Sequence, residues 1–418
     1  MRIIRFLGAL STGWILFGAG VSAAVSFTPL GDLTGDPSSV AGAISADGRV
    51  IVGQIGAEAF RWNAGSGVEI LGRPRHAQED AVVIPTDVSA DGTTVVGTTR
   101  NFGLNIPTAW RWTGETGIQR AGDEPFVAFV GEASGVSGDG TELVGHRGTG
   151  NFTHADATLM PYSLLGGGQI LPRPPLEIDG LPGDTLSSKA TAISDDGTRI
   201  ALYRHFHREL ELPGSSTTVR IVGSEAYRAV FDGIETEVTA LPDLPGSIAS
   251  RPFAISGDGS TIVGSSYTSG AGQYAVRWDA EGRVHALAPR NPSGTSRALA
   301  TSHDGSTIVG TDGRAFVWDE AHGLRDLRVL LEGLGLDLDG WTLLEATDVS
   351  ADGRTIVGLG EYRGDDPIHA RRESFIVVIP EPSTALMMVL GLAGLCIQGR
   401  RHVSGPARVG GDPSRWDA

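Results

Sequence analysis

Cysteine is almost absent: Cys396 is the only one in 418 residues. An intramolecular disulfide and a cysteine-based zinc site are therefore excluded, and stability has to come from packing and closure. Lysine is as scarce, with Lys189 alone, and 33 basic residues face 49 acidic ones for a formal charge of -16. A surface of that sign repels phosphate backbones, which argues against nucleic acid as a partner. Aromatic residues make up only 6% of the chain, and no long amphipathic helical pattern competes for it. His-Glu-x-x-His, a P-loop, Gly-x-Ser-x-Gly and a Gly-x-Gly-x-x-Gly dinucleotide loop are also missing, so no cofactor is signalled. The acidic residues are too many and too scattered to single out a catalytic pair.

What the chain has is glycine, 60 of them with 22 prolines, and a repeated phrase: an apolar residue, Ser-x-Asp-Gly, an apolar run, then usually Gly. Its turns fall at Asp47-Gly48, Asp91-Gly92, Asp139-Gly140, Asp196-Gly197, Asp258-Gly259, Asp304-Gly305 and Asp352-Gly353. Asp-Gly between apolar runs closes a tight β-hairpin, because Gly accepts positive φ and Asp caps its own turn. A third strand follows most copies (Ala59-Phe60-Arg61-Trp62, Ala109-Trp110-Arg111-Trp112, Ala275-Val276-Arg277-Trp278) and a fourth comes after a Gly turn (Val68-Glu69-Ile70-Leu71, Leu324-Arg325-Asp326-Leu327). Asp47 and Asp352 stand six steps apart at about 51 residues each, and four short strands per unit of that length is the signature of a propeller blade.

The fold class expected is all-β, a seven-bladed β-propeller. The last copy lacks a fourth strand, since Ser374-Phe375-Ile376-Val377-Val378-Ile379 runs into Pro380. Phe27-Thr28-Pro29-Leu30-Gly31-Asp32-Leu33 is expected to supply it, closing the ring by pairing N-terminal and C-terminal strands and removing exposed sheet edges.

Candidate sites are few. The turn aspartates are read as caps of their own turns rather than as a ring of calcium ligands. Leu336-Asp337-Leu338-Asp339-Gly340 begins like a calcium loop but lacks the remaining acidic ligands and the Glu at the twelfth position. The long fourth unit carries His205, His207, Glu209 and Glu211, which a strand would place on one face as a metal-ligand set. Alternate residues there stand roughly 6.6–7 Å apart, so without a bend they form a solvated strand. Arg61, Arg111 and Arg277 recur at one structural position, which favours architecture over a carbohydrate-binding surface.

The ends carry targeting features. Residues 1–23 have Arg2 and Arg5, an apolar run and Val21-Ser22-Ala23 as a small-residue cleavage site, which together read as a secretory signal peptide. At the other end Pro380-Glu381-Pro382 is followed by an apolar run over residues 385–397 and by Arg400 and Arg401. The run is shorter than the roughly 20 residues of a relaxed membrane span, yet with its positive flank it is expected to act as a short transmembrane sorting helix. The organisation expected is a signal peptide at 1–23, the propeller at 24–379, a sorting signal at 380–401 and a basic, Gly-rich tail at 402–418.

This tail resembles the PEP-CTERM sorting signal of Gram-negative bacteria, through Pro380, Glu381, Pro382, the apolar run and the Arg pair. The resemblance implies processing by an exosortase after Sec export. The tail beyond His402 departs from the pattern, which ordinarily stops soon after the Arg residues. The repeats are similar to the HAF-repeat family of extracellular bacterial proteins, through Ala59-Phe60-Arg61-Trp62 with Leu71-Gly72 and through Leu30-Gly31-Asp32-Leu33. That resemblance implies a propeller-like fold and a surface location, with no established enzymatic activity. The function expected is a non-catalytic exported scaffold or binding module, with extracellular polysaccharide or surface proteins as partners. The alternative is a secreted polysaccharide-acting enzyme using the top face of the propeller, its site shaped by the inserted fourth unit.

Overall fold

The computed structural model describes residues 25–35, 39–74, 77–100, 107–121, 131–148, 155–164, 170–172, 176–178, 181–182, 185–211, 218–233, 235–268, 272–287, 294–364 and 370–380. Residues Val25–Ile379 form one compact unit.

Each Ser-x-Asp-Gly phrase closes a hairpin by the same bonds. The Ser hydroxyl, buried in every copy, donates to the Asp Oδ1 at 2.5–2.8 Å. It accepts in turn from the N–H five residues on, at 2.9–3.0 Å. The Asp Oδ1 also accepts from the backbone N–H two residues on. Burial works against the charge of Asp91 and Asp139, but the Ser and Thr bonds outweigh it and hold both below the usual carboxylate range. The glycine is needed twice over: at Gly92 φ is 71°, and an added Cβ would stand 2.5 Å from Val50 of the preceding unit.

Four antiparallel strands follow in order, as in Val40–Ile44, Val50–Ile55, Glu58–Asn63 and Gly67–Gly72 of the first unit. The second and third strands pack through the closing glycine of the phrase. A Cβ on Gly97 would meet the Trp110 ring at 2.4 Å and the Ile84 carbonyl at 2.2 Å, so the fully buried Trp110 fills the space that a side chain there would take.

The described residues form seven sheets, with one apolar cluster at each junction between neighbours rather than a single central core. The expectation of a seven-bladed propeller bearing a C-terminal transmembrane segment is corrected on two counts. Six blades, not seven, are each built from one uninterrupted stretch of chain; the remaining sheet is a composite in which Ser26–Pro29 pairs antiparallel with Arg371–Val378, followed by Thr355–Tyr362 and Trp341–Val349. Pro380 has no N–H to extend the strand Arg371–Val378, and the outermost strand of this sheet comes from the other end of the chain. Secondly, among the described residues no helix is long and apolar enough to cross a membrane. Residues 385–397, on which that expectation rested, lie outside the described residues, as do residues 1–23.

There are two short helices among the described residues, the first of which takes over the expected Phe27–Leu33 strand from Leu30 on while the second follows the strand Gly323–Asp326. Leu30–Thr34 is helical, entered from Pro29 and ended by Gly35 at φ 75°, and it buries Leu30 in the cluster joining the composite sheet to the first unit. Leu327–Gly333 is helical behind an Asp326 N-cap whose carboxylate accepts from Arg328 and Val329 N–H. The fourth unit is the longest, its middle strands running Arg199–Glu211 and Thr218–Phe231.

Candidate functional site at the axial channel

The innermost strand of every sheet, the one that leads into the turn serine, carries a register shift three residues before that serine: at Gly42, Thr86, Ser134, Thr191, Phe253, Leu299 and Thr347 one extra residue is accommodated. A bulge bends and further twists its strand, and here it turns the extra residue toward the common axis. The innermost strands together enclose a cavity of about 210 Å³ lined by residues of all seven sheets.

At the turn end the rim is a closed circle of backbone hydrogen bonds. Ala46 N–H donates to Ala90, Ala90 to Gly138, Gly138 to Asp195 and Asp195 to Gly257. Asp258 then donates to His303, His303 to Ala351, and Ala351 back to Ala46. The x residue of each phrase therefore faces the opening. Five are Ala or Gly; the exceptions, Asp195 and His303, pair across the rim at 2.8 Å between Nδ1 and Oδ2. They span Gly257, where an added Cβ would stand 2.2 Å from the imidazole and 2.4 Å from the carboxylate.

Deeper in, the position two before the serine is Ala or Gly in five units and Asp in two. Asp87 Oδ2 accepts from Val136 N–H of the next sheet at 2.9 Å and its Oδ1 from Val88 N–H at 2.8 Å. Asp348 makes the same pair of bonds, to Ile44 N–H across the seam and to Val349 N–H, both at 2.8 Å. Among the described residues no cation pairs with either. Enclosure by the strands pushes Asp87 up to about 7, aided by the charges of Asp348 and Asp195 and opposed by its two N–H donors. Enclosure likewise pushes Asp348 up to about 6 against the Ile44 and Val349 donors. Chemically, both carboxyls are clasps between neighbouring sheets that change protonation state near neutral pH.

The sequence-predicted residues lie elsewhere. His205, His207, Glu209 and Glu211 sit at alternate positions of one strand, opposite Ser224, Val222, Arg220 and Thr218. His205 is half-buried, its ring edge-on to Tyr203 at 5.2 Å, and burial with Arg251 and Lys189 nearby lowers its pKa; His207 and Glu209 are exposed. Among the described residues no three His, Cys, Asp or Glu side chains come together as metal ligands. Asp337 and Asp339 accept from the N–H groups of Asp339 and Gly340. Arg61 and Arg111 reach the turn carbonyls of Gly92 and Gly140 in the next unit, and Arg277 lies 4.9 Å from the Trp318 ring centre. Pro380 closes the described chain; Glu381, Pro382, Arg400 and Arg401 lie outside it. Sequence reasoning missed Asp87, Asp348, Asp195 and His303. The signal available was the departure from Ala or Gly at fixed offsets from the turn serine.

Solved structures of similar shape include TolB from Acinetobacter baumannii (14% identity, 77% of this chain, TM-score 0.38), of which the chain spans 60%. Others are a putative TolB from Agrobacterium tumefaciens (13%, covering 82% of this chain and 91% of that one, 0.37) and the β-propeller domain of the Trilobed protease from Pyrococcus furiosus (13%, 78% and 88%, 0.43). At these scores the likeness carries no argument about activity. No curated protein matches the chain. Residues 378–401 match the PEP-CTERM protein-sorting motif, and a chain carrying that motif is marked for export and exosortase-dependent processing.

Proposed function

We propose that this chain is an exported cell-surface or extracellular-matrix protein whose propeller is a non-catalytic scaffold or binding module displayed through exosortase-type sorting. The observation that carries the reading is the sorting motif at residues 378–401. In this reading residues 1–23 engage the Sec machinery and are removed, residues 24–379 form the displayed module of HAF-like repeats, residues 380–401 are read by the exosortase, and residues 402–418 trail it. The partners are extracellular polysaccharide or other surface proteins. The employment of the turn carboxylates and of Asp87 and Asp348 on backbone N–H groups supports a structural role for the most regular acidic positions.

The test is fractionation of producing cells carrying the native chain or one with Pro380, Glu381 and Pro382 all changed to Ala. The native protein is expected outside the inner membrane and the variant retained. A native protein confined to the cytoplasm, or an identical distribution of the two, overturns the reading.

A further inference from the structure

Five residues before each turn serine, the innermost strands present one residue apiece at the axial end remote from the turns: Val40, Ile84, Glu132, Lys189, Arg251, Arg297 and Glu345. None of the seven is fully buried. Their charges pair around the ring. Lys189 Nζ stands 2.9 Å from Glu132, and Arg297 stands 3.4 Å from Glu345. Arg251, between the two pairs, is the odd cation.

Among the described residues no carboxylate pairs with Arg251. Its one side-chain hydrogen bond there is a long one from Nε to Ser224 Oγ, at 3.4 Å. The guanidinium lies close to two half-buried tyrosines, 5.4 Å from the Tyr203 ring centre and 6.0 Å from that of Tyr267. Such cation–π contact leaves its terminal N–H fork without a hydrogen-bond partner among the described residues. His205 lies against Tyr203, and its Nδ1 has no hydrogen-bond partner among the described residues. In a chain of charge -16, a guanidinium beside phenol rings with no carboxylate partner among the described residues is a local reversal of sign.

From this juxtaposition we infer that Arg251, flanked by Tyr203 and Tyr267, is a binding site for the carboxylate of an acidic sugar. The fork takes both carboxylate oxygens in one plane, as arginine does and lysine does not. The tyrosines flank the ring and offer hydroxyls to its neighbours. The general acidity of the protein limits non-specific binding of polyanions, so selectivity rests on this one position. The inference rests on the display reading for the polymeric source of the sugar, a polysaccharide outside the cell.

The experiment is titration of the purified exported protein with oligogalacturonate, with the neutral oligogalactoside and with inorganic sulfate, using the native chain and R251Q, R251K and R283Q. Arg283 is an exposed, paired arginine elsewhere and serves as the control. Oligogalacturonate is expected to bind the native protein and R283Q alike, at least tenfold more weakly to R251K and not measurably to R251Q, with the melting temperatures of the variants confirming folding. Undiminished binding by folded R251Q, equal binding of the neutral oligomer, or equal binding of inorganic sulfate overturns the site. Display is read separately from cell fractions, where R251Q is expected to behave as the native chain does, so loss of the sugar site and loss of the sorting reading are distinguishable.

Discussion

The seam of the ring offers a titration experiment with a sign fixed by the structure. Asp348 holds the composite sheet to the first unit by accepting from Ile44 N–H, and its carboxyl is raised from 3.8 to about 6. The folded state therefore binds its proton more tightly than the unfolded chain does, and unfolding free energy falls as pH rises from about 4 to about 6, levelling off above. At about 1.4 kcal/mol per pH unit the full effect is no more than roughly 3 kcal/mol, and contact with the water-accessible channel reduces it. Asp348→Asn removes the titration and exchanges one acceptor oxygen for an amide N–H₂ facing a donor, a cost of about 1–3 kcal/mol that does not vary with pH. Urea unfolding of both proteins between pH 4 and pH 8 isolates the carboxyl together with its influence on Asp87, which its charge helps to raise, since the remaining groups cancel in the difference. The native protein's advantage over the variant is expected to shrink by about 1–3 kcal/mol between pH 4 and pH 7. A constant difference would refute the assignment of a raised carboxyl at the seam.

Two further substitutions test the packing. Gly92→Ala places a Cβ in a left-handed turn and 2.5 Å from Val50, and is expected to cost about 2–4 kcal/mol in unfolding free energy from backbone strain and overpacking together; a change below about 0.5 kcal/mol contradicts the close approach between units. Phe27→Ala removes the ring that lies 5.0 Å from Trp341 and 5.5 Å from Phe375. A loss of about 2–4 kcal/mol is expected with a change in tryptophan fluorescence, whereas an unaffected midpoint would mean that the N-terminal strand does not close the ring.

Most of the strand order was legible because the information is local. Ser-x-Asp-Gly fixes a hairpin through its own side chains, and each copy repeats the bonds, so the spacing could be read without knowing any contact between units. The joining of the two ends was legible for the same reason, a missing strand at Pro380 and a spare one at Phe27. The helix at Leu30–Thr34 was overlooked although Pro29 and Gly35 flank it as start and stop signals, because the match of Leu30-Gly31-Asp32-Leu33 to the fourth-strand phrase outweighed them. The channel was not legible. Asp87 and Asp348 reach the axis through bulges, which depend on pairing register rather than residue type, and Asp195 meets His303 only because the ring brings the fourth and sixth units to either side of Gly257. The same holds for Arg251, whose lack of a carboxylate partner among the described residues is visible only when all seven innermost strands stand around one axis.

Whether the propeller is sorted to the cell surface through residues 378–401 can be read from the intact mass of the protein recovered from fractionated cells. A chain is expected outside the inner membrane that has lost residues 1–23 and everything beyond a cut within residues 378–401. A full-length chain ending at Ala418 and remaining in the cytoplasm would contradict it.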